Sequence, residues 1–122
     1  AAIAARLDNA AAVAPSVPAA AGGTERVADV PIYCTDMLVR RAPSLQLTAD
    51  ARPPVAGLPT ALWQQLGLQP GAKVLVSQGS GAVLMPARED ATLAPNAVRV
   101  SAGHPTLTAL GPMFGPVTVE KA

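Results

Sequence analysis

Pro59-Thr60-Ala61-Leu62-Trp63-Gln64-Gln65-Leu66-Gly67-Leu68-Gln69-Pro70-Gly71-Ala72-Lys73-Val74-Leu75-Val76-Ser77 is the stretch from which the fold can be read. Proline suits a first helical turn, Leu62 and Leu66 stand one turn apart, and Gly67 is placed to end the helix. Pro70 and Gly71 then turn the chain into an apolar strand over residues 73–77. Gln78-Gly79-Ser80-Gly81 supplies a reversal, and residues 82–88 return as the second arm of a hairpin. Both arms contain apolar runs rather than strict alternation, which predicts burial on both faces, as in a small barrel.

Working outward, residues 30–34 read as a strand with Pro31 near its start or on an edge. Leu45-Gln46-Leu47-Thr48 alternates and reads as a short half-buried strand. Residues 97–101 and 117–120 complete a set of six to seven strands around one or two short helices. No internal repeat is visible, although two strand–turn–strand halves flank the central helix. Residues 1–12 have good helix propensity, with Ile3, Leu7 and Ala11 on one face. Residues 13–24 are rich in Pro, Ala and Gly. The expected organisation is a helical, low-complexity linker from a preceding domain over residues 1–24, then a barrel domain over residues 25–122. The chain reads as a piece of a longer protein.

Composition narrows the function classes. Half of the 122 residues are hydrophobic, but 26 of them are alanine, so the larger apolar residues suffice for a single core. Tyr33, Trp63 and Phe114 are the only aromatics, too few for a base-stacking platform. Nine basic residues against eight acidic ones, with no basic run, argue against a nucleic-acid partner. No stretch approaches the length of a membrane span.

The chemical inventory is thin. Cys34 is the one cysteine, expected as a small semi-buried apolar residue. His104 is the one histidine, expected as a solvent-facing or backbone-bonded loop residue. Glu89-Asp90 reads as a turn after Arg88, not an acid–base pair. The glycines at 79 and 81 lack the Lys and helix of a phosphate loop. Arg40-Arg41 is the only paired basic feature. It suits a phosphate or carboxylate on a partner, a pair of ordinary surface arginines, or an internal ion pair with Asp36 or Asp50. Trp63 reads as a core or interface anchor.

The helix–turn–strand pattern from Pro59 to Val76, with the hairpin through Arg88, resembles the carboxy-terminal, molybdopterin-dinucleotide-binding domain of the molybdopterin oxidoreductase superfamily. That resemblance implies a double-psi β-barrel. Within the superfamily, Val30-Pro31-Ile32-Tyr33-Cys34-Thr35-Asp36-Met37-Leu38-Val39-Arg40-Arg41-Ala42-Pro43-Ser44-Leu45-Gln46-Leu47-Thr48 and residues 96–105 are similar to the large iron–sulphur subunit of bacterial NADH:quinone oxidoreductase (respiratory complex I). The likeness covers residues 25–122.

In the molybdenum enzymes the corresponding segment carries Thr-Gly-Arg, then His, Trp-His-Thr and a closing Thr around the pterin dinucleotide. Here Thr35, Ser44 and Thr48 keep the hydroxyls and Arg41 stands for the first His. Asp36, Met37 and Ala42-Pro43 replace the Gly, Arg and Trp-His. A carboxylate repels phosphate, and proline has no ring nitrogen to offer. The resemblance therefore implies vestigial pterin-facing positions at Thr35, Arg41, Ser44 and Thr48, with no cofactor and no catalytic or metal-binding residue in this domain. It implies iron–sulphur clusters elsewhere in the parent subunit. The implied partners are the remaining domains of that large subunit and neighbouring subunits of the hydrophilic arm, with Arg40, Arg41 and Trp63 as interface candidates. It implies a cytoplasmic place, peripheral to the inner membrane, without direct membrane contact. The alternatives are a cofactor-binding domain of the formate dehydrogenase or nitrate reductase type, and a free-standing barrel used as a regulator or DNA-binding switch.

Overall fold

A computed structural model describes residues 22–122. The expected linker therefore lies outside the described residues, apart from Gly22, Gly23 and Thr24. Seven strands form one sheet: β1 (Glu25–Val27), β2 (Ala56–Leu58), β3 (Lys73–Gln78), β4 (Gly81–Glu89), β5 (Ala97–Arg99), β6 (Gly115–Pro116) and β7 (Thr118–Lys121). Three short helices, α1 (Met37–Arg40), α2 (Pro43–Gln46) and α3 (Thr60–Gln65), accompany them. The strand order is β6-β1-β5-β2-β4-β3-β7. The two edge strands are successive parts of one segment, and the Val117 amide between them donates to the Thr24 carbonyl at 2.9 Å. One piece of chain thus pairs with β1 on one side and β3 on the other, and it brings the sheet close to a closed barrel.

The pairing has the crossed pattern of a double-psi barrel. β1 runs parallel to β5 and β2 runs parallel to β4, while the remaining pairs are antiparallel. Exchanging β1 and β2 for β4 and β5 leaves that pattern unchanged, so each half supplies strands to the other. The mainly β barrel expected from the sequence is the architecture found.

The central helix α3 begins after Pro59 and ends where Gly67 takes φ +58°, a left-handed position that glycine occupies without a Cβ clash. The β3–β4 hairpin closes through Gly79-Ser80, with Gln78 opposite Gly81. Gly79 has φ +59°, as a type II′ turn requires at its first central residue. The core comprises Ala56, Leu58, Leu68, Val74, Val76, Met85, Ala87, Val98, Val100, Leu107, Leu110 and Val117. Leu62, Trp63 and Leu66 of the α3 region pack against it. Burying such side chains contributes roughly 25 cal/mol per Å² of apolar surface.

Three expectations are corrected. β3 and β4 are not buried on both faces: Val74, Val76, Met85 and Ala87 point inward, whereas Leu84 is 55% exposed. Residues 30–34 do not form a strand. Pro31 precedes a 3-10 turn at Ile32–Cys34, and the Cys34 amide donates to the Pro31 carbonyl. Residues 45–48 are not a strand either, because Pro43 starts helix α2 with its φ already fixed. The short strands β1, β2 and β6 take the places that those segments were expected to fill.

Candidate functional site

Residues 31–55 leave the barrel between β1 and β2 as a helical excursion. Asp36 caps helix α1: its Oδ1 accepts from the Leu38 and Val39 amides at 2.8 and 2.9 Å. A second 3-10 turn, Ala49–Ala51, follows α2. The Gln46 side chain ties α2 back by donating to the Val39 and Tyr33 carbonyls at 2.8 and 3.2 Å. At the root, Val30 and Cys34 lie against Gly103, where an added Cβ would meet Val30 Cγ1 at 3.1 Å. Cys34 is buried, as a small apolar residue would be.

The four positions that the resemblance marks as pterin-facing, Thr35, Arg41, Ser44 and Thr48, all fall on this excursion. The Thr35 hydroxyl donates to the Ile32 carbonyl at 2.7 Å, and the Thr48 hydroxyl to the Leu45 carbonyl at 2.7 Å. Ser44 is exposed near the start of α2, and Arg41 is exposed just past the end of α1. No hydrogen bond among the described residues joins any two of the four. Both threonine hydroxyls donate into their own turns, Asp36 caps α1, and Pro43 is built into the start of α2. The excursion instead exposes Ile32, Met37, Leu38 and Leu47, the last two at 85% and 88%.

The interface candidates separate. The Arg40 guanidinium donates to the Cys34 carbonyl through Nε at 2.8 Å and also through Nη2. Neither arginine forms an ion pair with Asp36 or Asp50; the one salt bridge among the described residues joins Arg99 and Asp90 at 3.3 Å. Trp63 is half-buried and lines a cleft of about 650 Å³ with Gln64, Pro70, Arg88 and Glu89. A second cleft of about 600 Å³, lined by Leu62, Leu66, Gly23 and Val117, lies along the seam that the closing segment makes.

His104 is a backbone-bonded loop residue: its Nδ1 accepts from the Thr106 amide at 3.3 Å and lies 2.8 Å from the Thr106 hydroxyl. Asp90 opens the turn after β4, accepting from the Thr92 hydroxyl at 2.6 Å and the Thr92 amide at 3.1 Å. The Thr92 hydroxyl, the Thr92 amide and the Arg99 charge hold its carboxyl below the ordinary value. Adjacent Glu89 is exposed at the end of β4. No three His, Cys, Asp or Glu side chains cluster among the described residues.

The most unusual polar feature has no signal in the sequence. Arg26, in the middle of β1, is 2% exposed and faces no carboxylate within ion-pair distance. Its Nε donates to the Val100 carbonyl at 3.1 Å and its Nη2 to the Ser101 carbonyl at 2.9 Å. Its Nη1 donates to Gln78 Oε1 at 3.0 Å and to the Gly111 and Pro112 carbonyls at 3.3 and 3.2 Å. The buried Gln78 amide also donates to the Pro112 carbonyl at 2.9 Å. Burial pulls the Arg26 guanidinium below its ordinary value, yet arginine stays charged in proteins. Chemically this is a fastener: one cation ties β1, β3, the strand end at Val100 and the loop before β6. Its acceptors are mostly backbone carbonyls, which any residue can supply, so no motif announces them.

No family model and no curated protein matches the chain. Among solved structures, a rationally designed protein ("mkDPBB_sym_86") is similar at a TM-score of 0.48 and 17% identity, over 80% of this chain and 90% of that one. Acetylene hydratase from Pelobacter acetylenicus is similar at a TM-score of 0.46 and 22% identity, over 66% of this chain and 11% of that one. This chain therefore spans about a tenth of the length of the hydratase. No helix among the described residues is long and apolar enough to cross a membrane.

Proposed function

We propose that this chain is a cofactor-free structural and interaction domain, the carboxy-terminal barrel of the large iron–sulphur subunit of a bacterial NADH:quinone oxidoreductase. In this reading it supports electron transfer from NADH to quinone by packing within the hydrophilic arm and carries no redox centre. Its partners are the other domains of that subunit and its neighbours, with neither nucleic acid nor lipid in direct contact. The iron–sulphur clusters belong to other domains of the parent subunit, and the complex holds this domain on the cytoplasmic side, peripheral to the inner membrane.

One observation supports the reading most. The segment that would face a pterin turns the Thr35 and Thr48 hydroxyl protons inward, uses Asp36 as a helix cap, and exposes apolar Met37, Leu38 and Leu47. That surface suits a protein neighbour better than a doubly charged dinucleotide.

Isothermal titration of the full chain with molybdopterin guanine dinucleotide tests the cofactor-free part. No saturable heat is expected, whereas low-micromolar binding would favour a formate dehydrogenase or nitrate reductase type of domain. The assignment to complex I is tested by co-purification: an epitope tag on the parent polypeptide should bring down NADH-oxidising, quinone-reducing activity. Recovery of the tagged protein without that activity would remove it.

A further inference from the structure

We propose that the outer edge of β7 is a strand-acceptor site and that its occupant is this chain's own segment Ala19-Ala20-Ala21, which adds to the sheet beside Val119 and Lys121. The proposal concerns the barrel itself and stands apart from the reading of the chain as a subunit domain.

β7 pairs with β3 on one side, with Ser77 opposite Thr118 and Val74 opposite Lys121, and it ends the strand order. The Ala122 amide donates to the Lys73 carbonyl at 3.2 Å. Alternation along an antiparallel ladder then turns the Thr118 and Glu120 amides toward β3, and the Val117, Val119 and Lys121 amides outward. Val117 shows that direction, since its amide donates to the Thr24 carbonyl. No strand among the described residues pairs with Val119 or Lys121 on the outer side.

The chain itself leads to this edge. β1 runs antiparallel to β6 with Glu25 opposite Pro116, so the same register sets Thr24 opposite Val117, at the start of β7. Gly22 and Gly23 form a bend there, with Gly23 at φ +124°. Both glycines line the cleft of about 600 Å³ whose walls carry Leu62 and Leu66 from the α3 region and Val117 and Val119 from the closing segment. The Lys121 ammonium donates to the Gly67 carbonyl at 3.2 Å, which marks where β7 meets the end of α3. From Thr118 to Lys121 the edge is about 10 Å long, the span of three extended residues.

An open strand edge presents backbone donors and acceptors that any extended segment can satisfy. Two features select the upstream alanines. Their single methyl groups let a backbone lie close between α3 and β7. Ala21 adjoins Gly22, so the pairing is intramolecular and prevails over a free peptide of equal chemistry. A second copy would instead bring Glu120 and Lys121 of two edges side by side, and charges on an edge oppose such pairing.

Amide exchange of the full chain, read residue by residue by NMR, tests the proposal. The Val119 and Lys121 amides should exchange about as slowly as those of Thr118 and Glu120, which face β3. Proline has no amide to give a ladder. In a variant combining Ala19→Pro, Ala20→Pro and Ala21→Pro, Val119 and Lys121 should therefore exchange about tenfold faster or more, with Thr118 and Glu120 unchanged. Overhauser contacts from residues 19–21 to residues 119–121 should appear within single molecules when labelled and unlabelled chains are mixed. Exchange of Val119 and Lys121 at the rate of an open peptide would overturn the proposal. So would protection that survives the three prolines, or contacts that arise only between labelled and unlabelled chains, which would give the edge to a second copy.

Discussion

The barrel and the excursion over residues 31–55 solve the same problem in opposite ways. The barrel takes strands as short as two or three residues and stabilises them through partners far along the chain, with β1 beside β5 and β6. Its least tolerant points, Arg26 and Gly81, act at a distance. The excursion is made of turns closed within a few residues, with Asp36 capping its own helix and Thr35 and Thr48 bonding three residues back. Of its side chains only Cys34 is buried. Non-local pairing gives cooperativity, because no strand survives without its neighbour. Local closure leaves an apolar surface of Ile32, Met37, Leu38 and Leu47 uncovered.

The comparison can be broken most severely at Gly81. A Cβ there would run into the Ala109 carbonyl and cannot be accommodated without moving backbone, so Gly81→Ala should cost about 4 kcal/mol. Urea unfolding would show this, and a loss under about 1 kcal/mol would mean that the loop yields easily. Arg26→Met comes next. It strips donors from five oxygens, four of them backbone carbonyls, and should cost about 3 kcal/mol. Amide exchange should rise around Gly111–Gly115 and stay unchanged over Leu38–Arg41. Equal loosening of both regions would erase the distinction between them.

A smaller and purely local effect is expected from Asp36→Ala. Losing an N-cap costs about 1 kcal/mol, which should appear as faster exchange of the Leu38 and Val39 amides with the urea midpoint nearly unmoved. A large midpoint shift would show that the excursion and barrel unfold as one unit. The smallest effect concerns pH. Asp90 has its folded-state value lowered by Thr92 first and Arg99 later, so its contribution is present above the unfolded carboxylate value and fades as pH falls through the lower folded value. The stability gap between wild type and Asp90→Asn should therefore narrow below about pH 4. A gap that shows no narrowing on acidification below about pH 4 would dissociate Asp90 from acid unfolding.

The elements legible in the sequence are those whose signals sit within a few residues. α3, its Gly67 terminator and the Gly79 hairpin are all of this kind, and their boundaries nearly coincide with those expected. The excursion departs from expectation at two points. Alternating Leu45-Gln46-Leu47-Thr48 mimics a strand over four residues, a window too short to separate the two periods. Pro31 and Pro43 are the better guides, since each fixes φ for a turn or a first helical residue. The internal hydrogen bonds of Thr35 and Thr48 depend on side-chain directions that spacing does not reveal. Arg26 is invisible for a different reason: its acceptors are mostly backbone carbonyls 74 to 86 positions away.

By itself, the sequence determined that this chain is small, mainly β and charge-poor, with a helix near Thr60–Gln65 and a hairpin through Gly79-Ser80, because turn chemistry is a local property. The tertiary structure alone decided which segments became β1, β2 and β6. A three-residue strand has no period of its own and exists only against a partner. It also decided that a lone arginine would be buried without a counter-charge. Only the closed barrel brings five oxygens from distant positions within reach of one guanidinium, and only that convergence compensates for removing the charge from water.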